Sequence, residues 1–246
     1  MTRRRWIADE VSGNRAALLG ANAAHLARVL RARVGQEFDI AADGRVRRGR
    51  VIAVRPDRVE FALGEELAAV AAPDVAVLLA IFKFDRMEWA IEKLTELGVR
   101  RIVPVVATRT DPYLAAVAGK RAERWRRIGR EAAQQSRRPA PPQIDSPARF
   151  NDALTVRANL RIVLAESEEK TSLKQALAGA AGETVAVAVG TEGGWTSQEL
   201  QLFTEAGWVA ASLGHTILRA ETAAVAAVAI VMSELTQDSS PRITDH

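Results

Sequence analysis

The spacing of apolar residues changes near residue 73, and the change divides the chain into two parts. Before it, apolar and polar positions alternate in short runs. Glu37-Phe38-Asp39-Ile40-Ala41 alternates with period two, which places Phe38 and Ile40 on one face of a strand. Asp43-Gly44 follows, a pair that tolerates positive φ in a two-residue hairpin turn. Further strands are expected at 46–54 and 58–63, separated at Pro56-Asp57, where proline withdraws a ladder donor. One short helix is expected between Asn22 and Arg33, with Leu26, Val29 and Leu30 sharing a face. Short strands, turns and one helix predict a small β-barrel of an RNA-binding type over residues 1–72. The alanine-rich, weakly patterned stretch 65–74, which contains Pro73, marks the boundary to a second domain over 73–246.

In that second domain the pattern alternates on a longer scale. Residues 75–82 are continuously apolar over the length of one strand, as a strand covered on both faces requires. Residues 87–97 carry apolar side chains at helical spacing and stop at Gly98, which suits a helix C-terminus. A strand at 101–106 follows, then a long basic helix from about Leu114 to Gln135. Four prolines within 138–147 exclude regular structure there. Strands are expected again at 160–165, 185–189 and 208–213, with helices at 172–178, 197–206 and 221–235. Strands interleaved with helices predict an α/β domain on a parallel sheet.

Composition changes the picture first by what it lacks. The absence of cysteine excludes disulfides, zinc–thiolate sites, iron–sulfur clusters and cysteine nucleophiles. His25, His215 and His246 are far apart and have no metal-ligand spacing, so no metal site is expected. Arg3, Arg4 and Arg5 run into Asp9 and Glu10 rather than into an apolar core, so no signal peptide is expected. The longest apolar stretch, 223–232, is too short to span a bilayer, and a cytoplasmic protein without membrane contact is the expectation. The net charge of +4 is modest but uneven. Residues 120–138 carry 8 basic and 2 acidic side chains, whereas 139–246 carry 7 and 13, so positive charge is concentrated in one short stretch. Arginine supplies 29 of the 34 basic residues, and guanidinium groups bind phosphate bidentately and stack on bases.

The candidate chemistry lies after the fourth strand of the second domain. Gly190-Thr191-Glu192-Gly193-Gly194-Trp195-Thr196 leaves a buried strand and enters a helix. Ligands of open parallel sheets bind at the carboxyl ends of strands, where glycine lets backbone approach them. Thr196 and Glu199 also read as a helix N-cap with its capping box, which accounts for those two residues but not for three glycines before them. A ligand loop and a bare turn therefore both stand at this point. Leu213-Gly214 ends a further strand, and Ile217-Leu218-Arg219-Ala220-Glu221-Thr222 leads into the last helix, with Glu221 placed to favour the helix dipole and Arg219 able to pair with it. Loops leaving adjacent strand ends would together make one concave site.

Taken in order, these segments resemble the ribosomal RNA small-subunit methyltransferase E family. The run Val189 to Thr196, then Leu213-Gly214 and Ile217 to Thr222, carry the likeness. It extends to Lys83-Phe84-Asp85-Arg86-Met87-Glu88-Trp89, Lys93-Leu94-Thr95-Glu96-Leu97-Gly98-Val99, Arg101-Ile102-Val103-Pro104, Glu131-Ala132-Ala133-Gln134-Gln135-Ser136 and His25-Leu26-Ala27-Arg28-Val29-Leu30-Arg31. The resemblance implies a SPOUT-type parallel sheet with a trefoil knot, an N-terminal PUA-like β-barrel that binds RNA, and a homodimer. It implies S-adenosyl-L-methionine as cofactor and methylation at N3 of a uridine in small-subunit (16S) ribosomal RNA, with ribosomal RNA or the small subunit as partner and no metal. Two positions depart from the family pattern: Thr191 stands where proline is usual, and Arg137 where glycine is common.

On that resemblance, Gly190, Glu192, Gly193, Gly194, Leu213, Gly214, Ile217, Leu218 and Thr222 are the candidate cofactor residues. Glu221 is the candidate base for the weakly acidic uracil N3 proton, and Arg219 the cation that stabilises the resulting oxyanion. Arg28, Arg31, Arg109, Arg126, Arg127, Arg130, Arg137 and Arg138 are the candidate RNA contacts. A sibling enzyme that methylates ribose would lack the whole-chain likeness. A non-catalytic RNA-binding protein would not need the glycine loops, and a nicotinamide oxidoreductase would need Gly-x-Gly-x-x-Gly, which is absent.

Overall fold

A computed structural model describes residues 5–67 and 72–236. Arg3, Arg4 and His246 lie outside the described residues, as do residues 68–71 of the expected boundary stretch. The described chain falls into two compact units, the N-terminal one taking in Ala133–Pro141 as well.

The N-terminal unit contains β1 (Arg5–Ile7), β2 (Glu10–Ser12), β3 (Arg15–Leu19), a short helix α1 (Gly20–Ala24), β4 (Glu37–Ala42), β5 (Arg45–Val54) and β6 (Arg58–Glu66). They form one six-stranded sheet in the order β1-β4-β5-β6-β3-β2, antiparallel except for the β1–β4 pair. Asp43 and Gly44 both take positive φ, 51° and 75°, and close the β4–β5 hairpin as the turn requires. Alternate residues point inward, so Phe38, Ile40, Val51, Val59 and Phe61 are buried, and the Phe38 and Phe61 rings meet edge-on at 6.3 Å. At Gly49 the β5–β6 register shifts and the strand presses on Ile40; an added Cβ would lie 2.3 Å from the Ile40 side chain.

The helix expected over 22–33 is not uniform. After α1, residues His25–Val29 form a π turn, with the Leu30 N–H donating to the His25 carbonyl at 3.1 Å. The extra residue in that turn rotates everything after it. Leu26 therefore stays buried while Val29 is 63% exposed, and the expected shared face does not form. Arg31 ends the segment with φ 51°.

Arg137 belongs to the segment grouped with this unit and has φ 59°, in the left-handed region that favours glycine. Its backbone carbonyl accepts from the Arg5 guanidinium. Arg137→Gly is expected to stabilise the protein by about 0.5–1 kcal/mol, relief of the strained φ exceeding the added freedom of the unfolded chain. Thermal melting checks this as a rise of about 1–4 °C. A fall instead would show that the arginine side chain holds the loop.

The larger unit runs β7 (Val75–Ala80), α2 (Phe84–Glu96), β8 (Arg101–Val106), α3 (Pro112–Val117), α4 (Ala122–Gln135, its last three residues grouped with the N-terminal unit), β9 (Gln143–Ile144), β10 (Ala148–Arg149), α5 (Phe150–Ala153), β11 (Leu160–Leu164), α6 (Leu173–Ala176), β12 (Val185–Val189), α7 (Ser197–Glu205), β13 (Val209–Ala211) and α8 (Ala220–Thr236). Seven strands form one sheet in the order β10-β8-β7-β12-β11-β13, with β9 also beside β8. Every pairing is parallel. Central β7 and β12 are buried at every residue, which is why their sequences are unbroken apolar runs. One face packs against α2 and α8 around Met87, Ile91 and Val228. The other carries an aromatic cluster in which Phe203 meets Trp195, Trp208 and Phe150 edge-on at 5.0–5.1 Å.

Gly98 caps α2 with φ 103°, as expected. The single basic helix expected from Leu114 is instead α3, a 3-10 turn at Ala118–Arg121, and α4. Asp111 starts α3 by accepting from the Tyr113 and Leu114 N–H groups with Pro112 at the first position, and Gly119 lies in the break. Despite its prolines, the stretch 138–147 still supplies the two-residue β9, because Gln143 and Ile144 pair beside β8.

Candidate active site

Three loops leave the carboxyl ends of the neighbouring strands β12, β11 and β13: residues 190–196, 165–172 and 212–219. Together they enclose a cavity of about 430 Å³, in the size range that holds a small organic ligand. The first loop contributes Gly190, Thr191, Gly193, Gly194 and Trp195; the second Glu166, Ser167, Glu168 and Glu169; the third Leu213, Gly214, His215, Ile217 and Leu218. Ala220 and Ala223, three residues apart on α8, complete the wall.

The glycines have different tasks. Gly194 and Gly214 take φ of 69° and 118°, and a Cβ on either would meet nothing within 4 Å. They are selected by backbone conformation and leave open space for a ligand to approach the main chain. Gly190 is selected by crowding, since a Cβ there would lie 3.0 Å from the Gly194 carbonyl carbon and 3.2 Å from the Trp195 nitrogen. Within the turn the Gly194 N–H donates to the Thr191 carbonyl at 2.9 Å, and the Gly193 N–H donates to the Thr191 hydroxyl at 3.3 Å. Threonine closes by a side-chain hydrogen bond a turn that a proline would stiffen through its ring.

Two residues brace the loop from behind. Glu199 is 3% exposed and completes the expected capping box: its carboxylate accepts from the Thr196 N–H at 2.8 Å and the Thr196 hydroxyl at 2.9 Å. The same carboxylate accepts from the Thr108 N–H at 2.8 Å, tying the loop after β8 to the glycine loop. Next to Thr108, the Arg109 guanidinium donates to the Gly193 carbonyl and, at 3.1 Å, to the Trp195 carbonyl. Arg109, expected among the RNA contacts, thus lies on the cavity wall. Of the acidic second loop, Glu168 is held below the ordinary carboxylate range by the Thr171 and Lys170 N–H groups.

Glu192 and Thr222, expected to contact the cofactor, do not line the cavity, nor do Arg219 and Glu221. Helical phase explains two of these: with Ala220 and Ala223 facing inward, Glu221 and Thr222 face elsewhere. Arg219 is exposed. Glu221 is 9% exposed, and its ion-pair partner is Arg86 of α2, Nε to Oε1 at 3.8 Å, rather than Arg219. The Arg86 guanidinium also reaches Glu192, Nη1 to Oε1 at 3.5 Å.

The other basic candidates are distributed over both units. Arg28 and Arg31 are exposed in the N-terminal unit. On α4, Arg127 and Arg130 are exposed, while Arg126 is engaged by the Ile144 carbonyl at 3.0 Å and Glu123 at 2.5 Å. Arg137 is exposed, and burial pushes the Arg138 guanidinium down to about 10, which leaves it charged at neutral pH. Sequence reasoning did not single out the 165–172 loop or Arg86. The acidic run Glu166-Ser167-Glu168-Glu169 directly after a strand was the available signal for the former.

Among the described residues no group of three or more histidine, aspartate or glutamate side chains is arranged to hold a metal. No helix among the described residues is long and apolar enough to cross a membrane.

Residues 70–232 match the family of the RNA methyltransferase domain, which sets the class of protein that this sheet and cavity define. The ribosomal RNA small subunit methyltransferase E of Aquifex aeolicus is 31% identical over 237 residues, 93% of this chain and 98% of that protein. The protein of the same name from Mycobacterium tuberculosis is 34% identical over 215 residues, 84% of this chain and 82% of that one. A solved ribosomal RNA small subunit methyltransferase E from Neisseria gonorrhoeae bound to S-adenosyl methionine has a TM-score of 0.80 at 27% identity, covering 94% of this chain and 98% of that one. The chain belongs to the ribosomal RNA small subunit methyltransferase E family.

Proposed function

We propose that this protein is a cytoplasmic S-adenosylmethionine-dependent methyltransferase that modifies N3 of a uridine in 16S ribosomal RNA. The observation that carries the reading is the cavity at β11, β12 and β13 in a chain of this family, walled by open glycines and in the size range of a small organic ligand. Gly194 and Gly214 would receive it through main-chain groups. The acidic 165–172 loop suits a ligand that carries positive charge. When bound, the cofactor supplies an activated methyl group on a sulfonium.

The chain's own residues then have to position uracil and remove its N3 proton. Glu221 is assigned the proton acceptor. Its Oε2 is buried and has no hydrogen-bond partner among the described residues, an arrangement that is costly unless a donor arrives. The uridine would enter from the α2 side of α8, where that carboxylate lies, with the exposed Arg219 beside the developing oxyanion. The N-terminal sheet is assigned to a PUA-like RNA-binding barrel, and Arg28, Arg31, Arg127, Arg130 and Arg137 to phosphate contacts.

A SPOUT-type trefoil knot and a homodimer belong to the same proposal. The return of α8 from the edge strand β13 to pack on α2 and β12 supports the knot. Apolar residues around the circumference of α8, with Ala229 exposed and Trp89 of α2 45% exposed, support a second copy against this face. Nucleoside mass spectrometry on ribosomal RNA from a strain lacking the gene tests the activity. N3-methyluridine is expected to be lost and to return with the purified protein and S-adenosylmethionine. Return of a ribose-methylated nucleotide instead would assign the sibling chemistry, and no change would leave an RNA-binding protein.

A further inference from the structure

Arg86 is the one cation paired with both Glu192 and Glu221 among the described residues. Those two carboxylates lie outside the cavity, each next in sequence to residues that line it. Glu192 belongs to the glycine loop, flanked by the cavity-lining Thr191 and Gly193; Glu221 follows the cavity-lining Ala220 in the first turn of α8. Arg86 itself rises from the first turn of α2, and its side chain is 31% exposed. Glu221 is far more enclosed, with a side chain 11% exposed and one oxygen unpartnered. A guanidinium can engage two carboxylates at once through separate nitrogens, here Nη1 toward Glu192 and Nε toward Glu221.

We propose that Arg86 is a positioning residue, which links the cofactor loop through Glu192 to the reacting carboxylate of Glu221. The inference builds on the assignment of Glu221 as proton acceptor. Arg86 pairs with Oε1 of Glu221 and leaves the buried Oε2 unpartnered, the oxygen that would take the substrate proton. A cofactor that orders the glycine loop would thereby fix Glu192, then Arg86, then Glu221. Misplacement of a reacting group by about 1 Å slows chemistry on the order of 100-fold, and an arginine outside the cavity reaches the reaction by this route.

The test compares single-turnover methylation of small-subunit RNA lacking the modification with calorimetric binding of S-adenosylhomocysteine. Arg86→Gln is expected to slow methyl transfer about 30-fold while weakening binding less than about threefold, and Arg86→Lys to recover most of the rate. In a Glu221→Gln background, Arg86→Gln should slow the reaction no more than about twofold further, because the two act as a unit. Full additivity overturns the proposal, as does a wild-type rate for Arg86→Gln when Glu221→Gln alone is slow. A wild-type rate for Glu221→Gln rejects the base assignment itself, a distinct outcome. Melting curves accompany each variant, and Arg86→Met, which keeps the aliphatic stem, carries the same test if Arg86→Gln does not fold.

Discussion

Replacing Glu199 by alanine is expected to remove about 3–4 kcal/mol of stability and to lower the melting temperature by about 10 °C. The magnitude follows from what the carboxylate does while 3% exposed. One oxygen accepts from Thr108 and the other from the Thr196 N–H and hydroxyl. Alanine would leave the donors buried without acceptors, and water could reach them only by opening the loop. Glutamine keeps the shape but has one carbonyl oxygen, so it serves either Thr108 or Thr196 and should lose roughly half as much. Because the glycine loop and the Thr108–Arg109 turn part company, affinity for S-adenosylhomocysteine should fall with stability. A melting temperature within about 2 °C of wild type would show that the bridge contributes little.

Gly190→Val is the second large effect, and it acts on the ligand rather than the fold. The glycine is packed against the main chain of Gly194 and Trp195, neither of which is the end of a flexible side chain. A Cβ at 3.0 Å, with two methyl groups beyond it, forces the loop apart at the pair that shapes the cavity wall. Affinity for S-adenosylhomocysteine is expected to drop at least about 100-fold, close to 3 kcal/mol. The sheet behind the loop should be nearly untouched, so melting in the absence of ligand should change far less than it does for Glu199→Ala. Calorimetry on the folded variant decides the matter: binding within about threefold of wild type would place the ligand elsewhere.

The contrast between these residues shows what a single sequence exposes. The unbroken apolar run Val185–Val189 has the length of one buried strand, and the glycine loop after that run was legible because its position relative to strand and helix was. Thr196 and Glu199 were legible as a cap because the partners of a capping box lie only three positions apart. The second duty of Glu199, toward Thr108, joins positions 91 residues apart and leaves no local mark. Arg86 was hidden for the same reason: its partners lie on a loop and a helix more than a hundred positions away. Local rules also erred where local geometry departs from the ideal. A continuous α-helical period put Val29 on an inner face, but the π turn at His25–Val29 turned it to solvent. A run of basic and apolar residues likewise concealed the break before α4.

The placement of β7 has a consequence for how the protein is made. This strand lies between β8, which follows it closely in the chain, and β12, roughly a hundred residues later. At about 5–20 residues per second on the ribosome, one edge of β7 waits on the order of 5–20 s for its partner. Throughout that interval a fully apolar strand has a row of unpaired N–H and C=O groups, a template for joining another chain. The last wall of the cavity, residues 212–219, emerges later still, so the pocket cannot close until the rest of the sheet is complete. Yield of active protein is therefore governed by whatever shields β7 on the nascent chain, and pauses in translation between β8 and β12 should favour aggregation over folding.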